Sequence, residues 1–173
     1  MYKNINNNKG SSLIELIMVM MLMIVFGLTM FTLIGAGSNT QEKIIDNKNA
    51  QSDARIAMSY INVTLRKHDT EKGIFIEKIK KSGKNAILLR EYSTDGTYDT
   101  WIYFSDGKIL ECTVLSGEQP DDSYAFEIVE IEDFTVSYDE ESSIVTSIFN
   151  YTYDGKPEEI VSNYKMRHNI AKP

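Results

Sequence analysis

The chain has 173 residues, with 18 Lys and Arg against 25 Asp and Glu, for a formal net charge of −7. That length suits one globular domain plus an appendage, and a single cysteine, Cys112, excludes an intrachain disulfide, so a folded head must be held by its core alone. Lys3, Lys9 and Glu15 are the only charged residues through position 37, so the remainder carries 16 basic and 24 acidic side chains, a net −8. An acidic head without a Lys/Arg stripe repels phosphate backbones, and no nucleic-acid partner is expected.

From Leu16 to Ile34 runs an apolar stretch of 19 residues, interrupted only by Gly27, Thr29 and Thr32. At about 1.5 Å of rise per residue such a helix spans roughly 30 Å of hydrocarbon. The two threonines cost little there, because their hydroxyls can return to backbone carbonyls one turn back. Lys3 and Lys9 precede the stretch and acid-rich sequence follows it. The positive-inside bias then keeps the N-terminus cytoplasmic and the head outside.

Three processing fates compete for this segment. A secretory signal has a shorter apolar region followed by a small-residue cleavage site, for which Gly35 and Gly37 in "IGAGS" could serve. A plain uncleaved anchor explains the length and charge but not Glu15, because a carboxylate at mid-bilayer costs about 2.5–3.5 kcal/mol by insertion scales. The third fate is cleavage ahead of the apolar run.

Lys9 and Gly10, followed by Ser11, Ser12, Leu13, Ile14, Glu15, Leu16 and the long apolar stretch, resemble the class III leader of type IV prepilins and pseudopilins. The resemblance implies that prepilin peptidase cuts between Gly10 and Ser11 on the cytoplasmic face and methylates the new amine. Ser11 departs from the usual aromatic or methionine first residue, and Ser12 from threonine. Glu15 becomes fifth in the mature chain, and the resemblance implies that it pairs with the Ser11 amine of a neighbouring subunit. Its place near the helix N-terminus is also favoured by the macrodipole.

Beyond "IGAGSNTQ", a stripe of Ala50, Ala54, Ala57, Ile61 and Leu65 recurs every three to four residues and marks a helix with one buried face. A helix continuous from Leu13 to Lys67 would be about 80 Å long. The rest reads as strands: residues 74–80, 86–92, "TWIYF" and "ILECTVL" about "SDGK", one or two in "FEIVEIEDFTVSYDEES", then "IVTSIFNYTY" and "EEIVSNYKMR". Asp-Gly pairs at 95–96, 106–107 and 154–155 suit tight hairpin turns, and Pro157 directs its strand to an edge or a start position. Consecutive hairpins need no crossover, so the expected fold is α+β, a helix with one apolar stripe on an antiparallel sheet. The prepilin resemblance implies the same lollipop of long helix and sheet head.

Little in the head suggests catalysis. His68 and His168 lack a second ligand at metal spacing and read as solvated caps at element ends; Cys112 reads as a small core or surface residue. Asp121 and Asp122 sit in the Pro-Asp loop "SGEQPDDS", and Asp139, Glu140 and Glu141 read as a solvated turn; neither acid cluster has the ordered oxygen spacing of a calcium loop. "GAG" at 35–37 lacks a dinucleotide fingerprint, and "NVT" at 62–64 falls on the helix. No enzyme activity, cofactor or metal is expected.

The expected organisation is a leader at 1–10, a transmembrane and filament-core helix at 11–37, an amphipathic helix at 38–69 and an antiparallel head at 70–173. The expected function is that of a minor-pilin-like subunit of a type IV pilus, with a pseudopilin of a secretion or DNA-uptake system as the alternative. A membrane-anchored extracellular binding module is the reading from another class. Residues 16–34 hold no proline, which abundant major pilins often carry there, and residues 52–69 look like the helix-to-head passage of minor pilins and pseudopilins. Other pilin subunits and prepilin peptidase are the expected partners, first in the cytoplasmic membrane and then, for the subunits, in a cell-surface filament.

Overall fold

The computed structural model describes residues 9–168 and 170, with side chains described at 13–34, 49–168 and 170. The chain divides into two compact units, Met1–Ile45 and Asp46–Pro173. The helix α1 (Lys9–His68) supplies the described part of the first unit and continues past the boundary into the second. Eight strands follow in the second unit: β1 (Ile74–Lys78), β2 (Asn85–Ser93), β3 (Gly96–Ser105), β4 (Lys108–Leu115), β5 (Phe126–Glu130), β6 (Asp133–Asp139), β7 (Ile144–Tyr153) and β8 (Lys156–Lys165). A short 3₁₀ turn, Asp122–Tyr124, lies between β4 and β5. The fold is α+β.

All pairings are antiparallel, in two sheets of order β1-β2-β3-β4-β5 and β6-β7-β8. The second sheet is a correction to the single sheet expected from the hairpins. The stretch 126–142 makes two strands, and the residues between them turn the chain out of the first ladder. Ile131 N–H donates to the Gly107 carbonyl at 2.9 Å, and Glu132 N–H donates to the Asn150 carbonyl at 3.2 Å. Those two bonds satisfy the linker while it passes from one sheet to the other. Strand β1 also ends at Lys78, two residues short of the expected 80, because Ile79 and Lys84 close the hairpin.

The alternation of the strands gives the first sheet two buried faces. On one, Ala54, Ala57, Ile61 and Leu65 of α1 join Ile74, Ile87, Leu89, Ile102 and Ile109 from the five-stranded sheet and Phe134, Val136, Val145 and Phe149 from the other. Phe134 and Phe149 stack with ring centroids 5.2 Å apart. Burying each large aliphatic or aromatic side chain there contributes about 1.5–3 kcal/mol. On the opposite face Phe75, Ile79, Leu88, Trp101, Tyr103, Leu110 and Cys112 form a second cluster, with Ala125 packed against it. Among the described residues no α-helix covers this face; the segment 116–125, with its short 3₁₀ turn, does.

The turns follow local chemistry. Asp106-Gly107 and Asp154-Gly155 each take positive φ at both residues, between the paired flanks Ser105↔Lys108 and Tyr153↔Lys156. That is the two-residue geometry that matches strand twist. The pair at 95–96 differs: Ser93 pairs with Gly96, so the turn residues are Thr94 and Asp95 and the glycine opens β3. Pro157 is the second residue of β8, an edge strand, where its missing N–H breaks no ladder bond.

Candidate assembly surfaces

The apolar span of the first unit is Leu13–Ile34, 22 residues with a mean hydropathy of 2.6, none of them buried. It is long and apolar enough to cross a membrane. Thr29 Oγ1 donates to the Phe26 carbonyl and Thr32 Oγ1 to the Thr29 carbonyl, both at 2.8 Å. The hydroxyls are thus satisfied within the helix, as that setting requires. Glu15 is exposed on α1 near the start of this span. Gly10 and Ser11 fall within the helix bounds, but their side chains are outside the described ones, and residues 1–8 of the expected leader are outside altogether.

In the second unit, the end of α1 is clamped. Asp69, buried, accepts from Arg167 N–H at 2.9 Å, His168 N–H at 3.2 Å and the Tyr164 hydroxyl at 3.2 Å. Burial alone would raise its carboxyl, but these donors together outweigh it and hold Asp69 below the ordinary carboxylate range. His68 is not a solvated cap. Its Nδ1 faces the Thr64 carbonyl at 2.9 Å and its Nε2 faces Glu91 at 2.8 Å, so the helix end is tied to β2. That hydrogen bond, the largest influence on Glu91, lowers the Glu91 carboxyl. His168, half exposed, is held by the Asp69 carbonyl at 3.2 Å. Gly73 closes the turn where an added Cβ would collide with the His68 carbonyl and the Thr70 hydroxyl.

The outer row of β3, Asp99, Trp101, Tyr103 and Ser105, fastens the 116–125 segment. Asp99 is fully buried; Arg90 donates to it from two nitrogens at 2.7 and 2.8 Å, and Gly117 N–H donates at 3.1 Å. Burial would raise its carboxyl, but the guanidinium and the Gly117 N–H hold it low. At the other end Asp122 accepts from the Tyr103 hydroxyl at 2.8 Å, Ser105 at 3.0 Å and Lys81 at 3.1 Å. The same contest of burial against donors leaves Asp122 lowered, whereas burial and the bond to Asp122 act together to raise Tyr103. Asp122, which the sequence shows only as part of an acid cluster in a loop, is therefore an anchor. Cys112 is buried beneath this segment, with Sγ 3.7 Å from the Asp121 carbonyl. Trp101 Nε1 is buried there without a partner among the described residues.

Two surface features remain. Ile56, Tyr60 and Val63 lie exposed along α1, and the Tyr60 hydroxyl donates to Glu111 of β4. Burial first, then Glu111, pushes the Tyr60 phenol up to about 12. Separately, a groove of about 520 Å³ opens where β5 ends, lined by Ala50 and Asp53 of α1, Glu130, Ile131, Glu132 and Tyr151, among others. Among the described residues no group of three or more His, Cys, Asp or Glu is placed to hold a metal ion.

Asp69 and Asp99 are not among the residues that the sequence singles out. Asp99 stands at a strand position flanked by threonine and tyrosine, and its one signal is Arg90, which lies as far before the Thr94-Asp95 turn as Asp99 lies after it. Asp69 follows the helix as any solvated acid would, and its donors come from about a hundred residues away.

This head has a family. The model of a domain of unknown function, DUF4860, matches residues 52–150, more than half of the chain. The chain belongs to the DUF4860 family. The match runs from within the amphipathic part of α1 through most of β7, and takes in both buried faces of the five-stranded sheet and the Asp99 and Asp122 anchors. It begins beyond the apolar span, so DUF4860 membership speaks of the head and not of residues 13–34. No curated protein and no solved structure matches the chain.

Proposed function

We propose that the chain is a minor-pilin-like structural subunit of a type IV pilus. Prepilin peptidase cuts after Gly10, and the mature chain starting at Ser11 enters the filament through its N-terminal helix. The observation that carries this reading is the junction of Lys9, Gly10, Ser11 and Glu15 directly ahead of an apolar span that is wholly exposed in the monomer. A helix exposed along 22 residues, with Glu15 as its only charge, needs lipid before assembly and other apolar helices after it. In that setting a carboxylate is tolerated when a cation meets it, and cleavage at Gly10 creates one at Ser11.

The α+β head supports the same reading, because two apolar clusters form its core and the buried carboxylate of Asp99, with Asp122, fastens the 116–125 segment. The head is then structural rather than enzymatic, carried outside the cytoplasmic membrane and later on the cell-surface filament. N-terminal mass spectrometry of the protein in its own cell tests the cut: a start at Ser11 is expected, and an intact Met1 or a start near Ser38 would overturn the reading. Glu15→Ala tests assembly. Processing is expected to proceed while incorporation into the filament is lost; normal incorporation of this variant would sink the pairing of Glu15 with Ser11.

A further inference from the structure

We infer that the heads of neighbouring copies join edge to edge, the lysine-bearing β1–β2 turn of one copy seated in the acid-lined groove beside β5 of the next. The inference rests on the filament reading only in taking the two copies to share one orientation.

The groove is built to receive amphipathic cations. Ile131 and Tyr151, both buried, supply an apolar floor along which lysine stems can lie, and Asp53 and Glu132 offer carboxylates for the ammonium heads. Neither carboxylate has a hydrogen-bond or ion-pair partner among the described residues, whereas Glu130 at the same groove is 3.4 Å from Lys108. The turn has the opposite character. Lys78, Lys80, Lys81 and Lys84 fall within seven residues of a chain whose net charge is −7. Lys81 is held by Asp122 at 3.1 Å and Lys84 by Asp133 at 2.5 Å, which pins the turn in place. Lys78 and Lys80 are exposed and have no side-chain partner among the described residues.

The sheet order sets the geometry of the contact. β1 and β5 are opposite edges of the five-stranded sheet, four strand spacings or about 19 Å apart. Strands alternate in direction through that sheet, so β1 and β5 point the same way and their C-terminal ends, which carry the turn and the groove, lie at one end of it. Copies placed side by side in one orientation bring unpaired lysines to unpaired carboxylates. A two-fold arrangement through the groove would set acid against acid. The contact is therefore heterologous, and a heterologous contact that does not close propagates as an open helical array. It also offsets the repulsion between acidic heads and fixes their register.

Disulfide trapping in the full-length chain, in membranes or assembled filaments, tests this. Lys80→Cys with Glu132→Cys in one chain is expected to give a ladder of dimers, trimers and larger species on mild oxidation. Each single variant is expected to give none, with buried Cys112 as the internal control. Dimers from Glu132→Cys alone would mean a two-fold contact and overturn the inference. No ladder from the double variant would overturn it as well. The filament reading is scored separately by the Ser11 start and the Glu15→Ala variant. On the double-cysteine background, Lys78→Glu is expected to lower the ladder yield roughly fivefold, with Asp53→Lys restoring it and high salt acting like the first change. An unchanged yield would remove charge pairing as the basis of the contact.

Discussion

The two faces of the five-stranded sheet are buried by different means. One is covered by regular elements, the stripe of α1 and the second sheet, and contact there is almost wholly apolar. The other is covered by a stretch of irregular chain, which has no periodic face to offer and brings Ala125 as its apolar contribution. That cover is fastened by polar groups at its two ends, Asp99 to Gly117 and Asp122 to Tyr103. A helix brings its own hydrogen bonds and needs a matching surface, whereas a loop brings unsatisfied groups and needs partners at named positions. The loop-covered face should then be the more sensitive to single polar changes and to acid. Trp101, the only tryptophan, lies in it and reports on it alone.

The largest effect is expected on the helix-covered face. Phe149→Ala removes one ring of the stacked pair and should cost about 3–5 kcal/mol. Denaturant unfolding followed by far-UV circular dichroism and by Trp101 emission should then give coincident transitions, shifted together. Next comes Asp99→Ala, which leaves a partly exposed Arg90 without its carboxylate and frees Gly117. A loss of about 2–3 kcal/mol is expected, toward the low end for a broken buried pair because Arg90 can regain water. Here Trp101 emission should shift to the red at denaturant concentrations that leave the circular dichroism unchanged. Coincident transitions in this variant would erase the distinction between the faces.

Acid should act in the same direction with a smaller effect, because protonation weakens these contacts without deleting them. Asp99 and Asp122 are both lowered by their donors in the folded head. The stability they contribute is therefore present above the unfolded carboxylate pKa of about 3.9 and is lost as pH falls through their lower folded values. Trp101 emission should move below about pH 4, ahead of the loss of strand signal. Asp69 is lowered too, at the helix end, so the C-terminal segment should loosen in the same range. The smallest effect is expected from Tyr103→Phe, which removes one hydrogen bond to Asp122 and should cost about 1 kcal/mol in the same unfolding assay.

The same contrast separates the features that are legible in the sequence from those that are not. The core stripe of α1, the Asp-Gly hairpins at 106–107 and 154–155 and the edge position of Pro157 are local signals, carried by residues a few positions apart. They appear in the fold as expected. The assignment of β5 and β6 to different sheets is not legible, because it depends on where Gly107 and Asn150 present carbonyls to Ile131 and Glu132. The roles of Asp69, Asp99 and Asp122 are hidden for the same reason. A carboxylate looks solvated in sequence until distant donors converge on it.

The sequence by itself determined the apolar span, the isolated glutamate at its start, the amphipathic helix and an antiparallel α+β head, since each follows from composition, period 3.6 or period 2. Tertiary structure alone decided that the strands form two sheets, that a loop buries the outer face and that three aspartates act as anchors. It also decided that Lys78 and Lys80 lie by the β1 edge of the first sheet and Asp53 and Glu132 beside the end of β5, their side chains without hydrogen-bond or ion-pair partners among the described residues. These properties belong to pairs of residues brought together across long stretches of chain, and only closing the chain on itself specifies which groups meet and which are left for a neighbour.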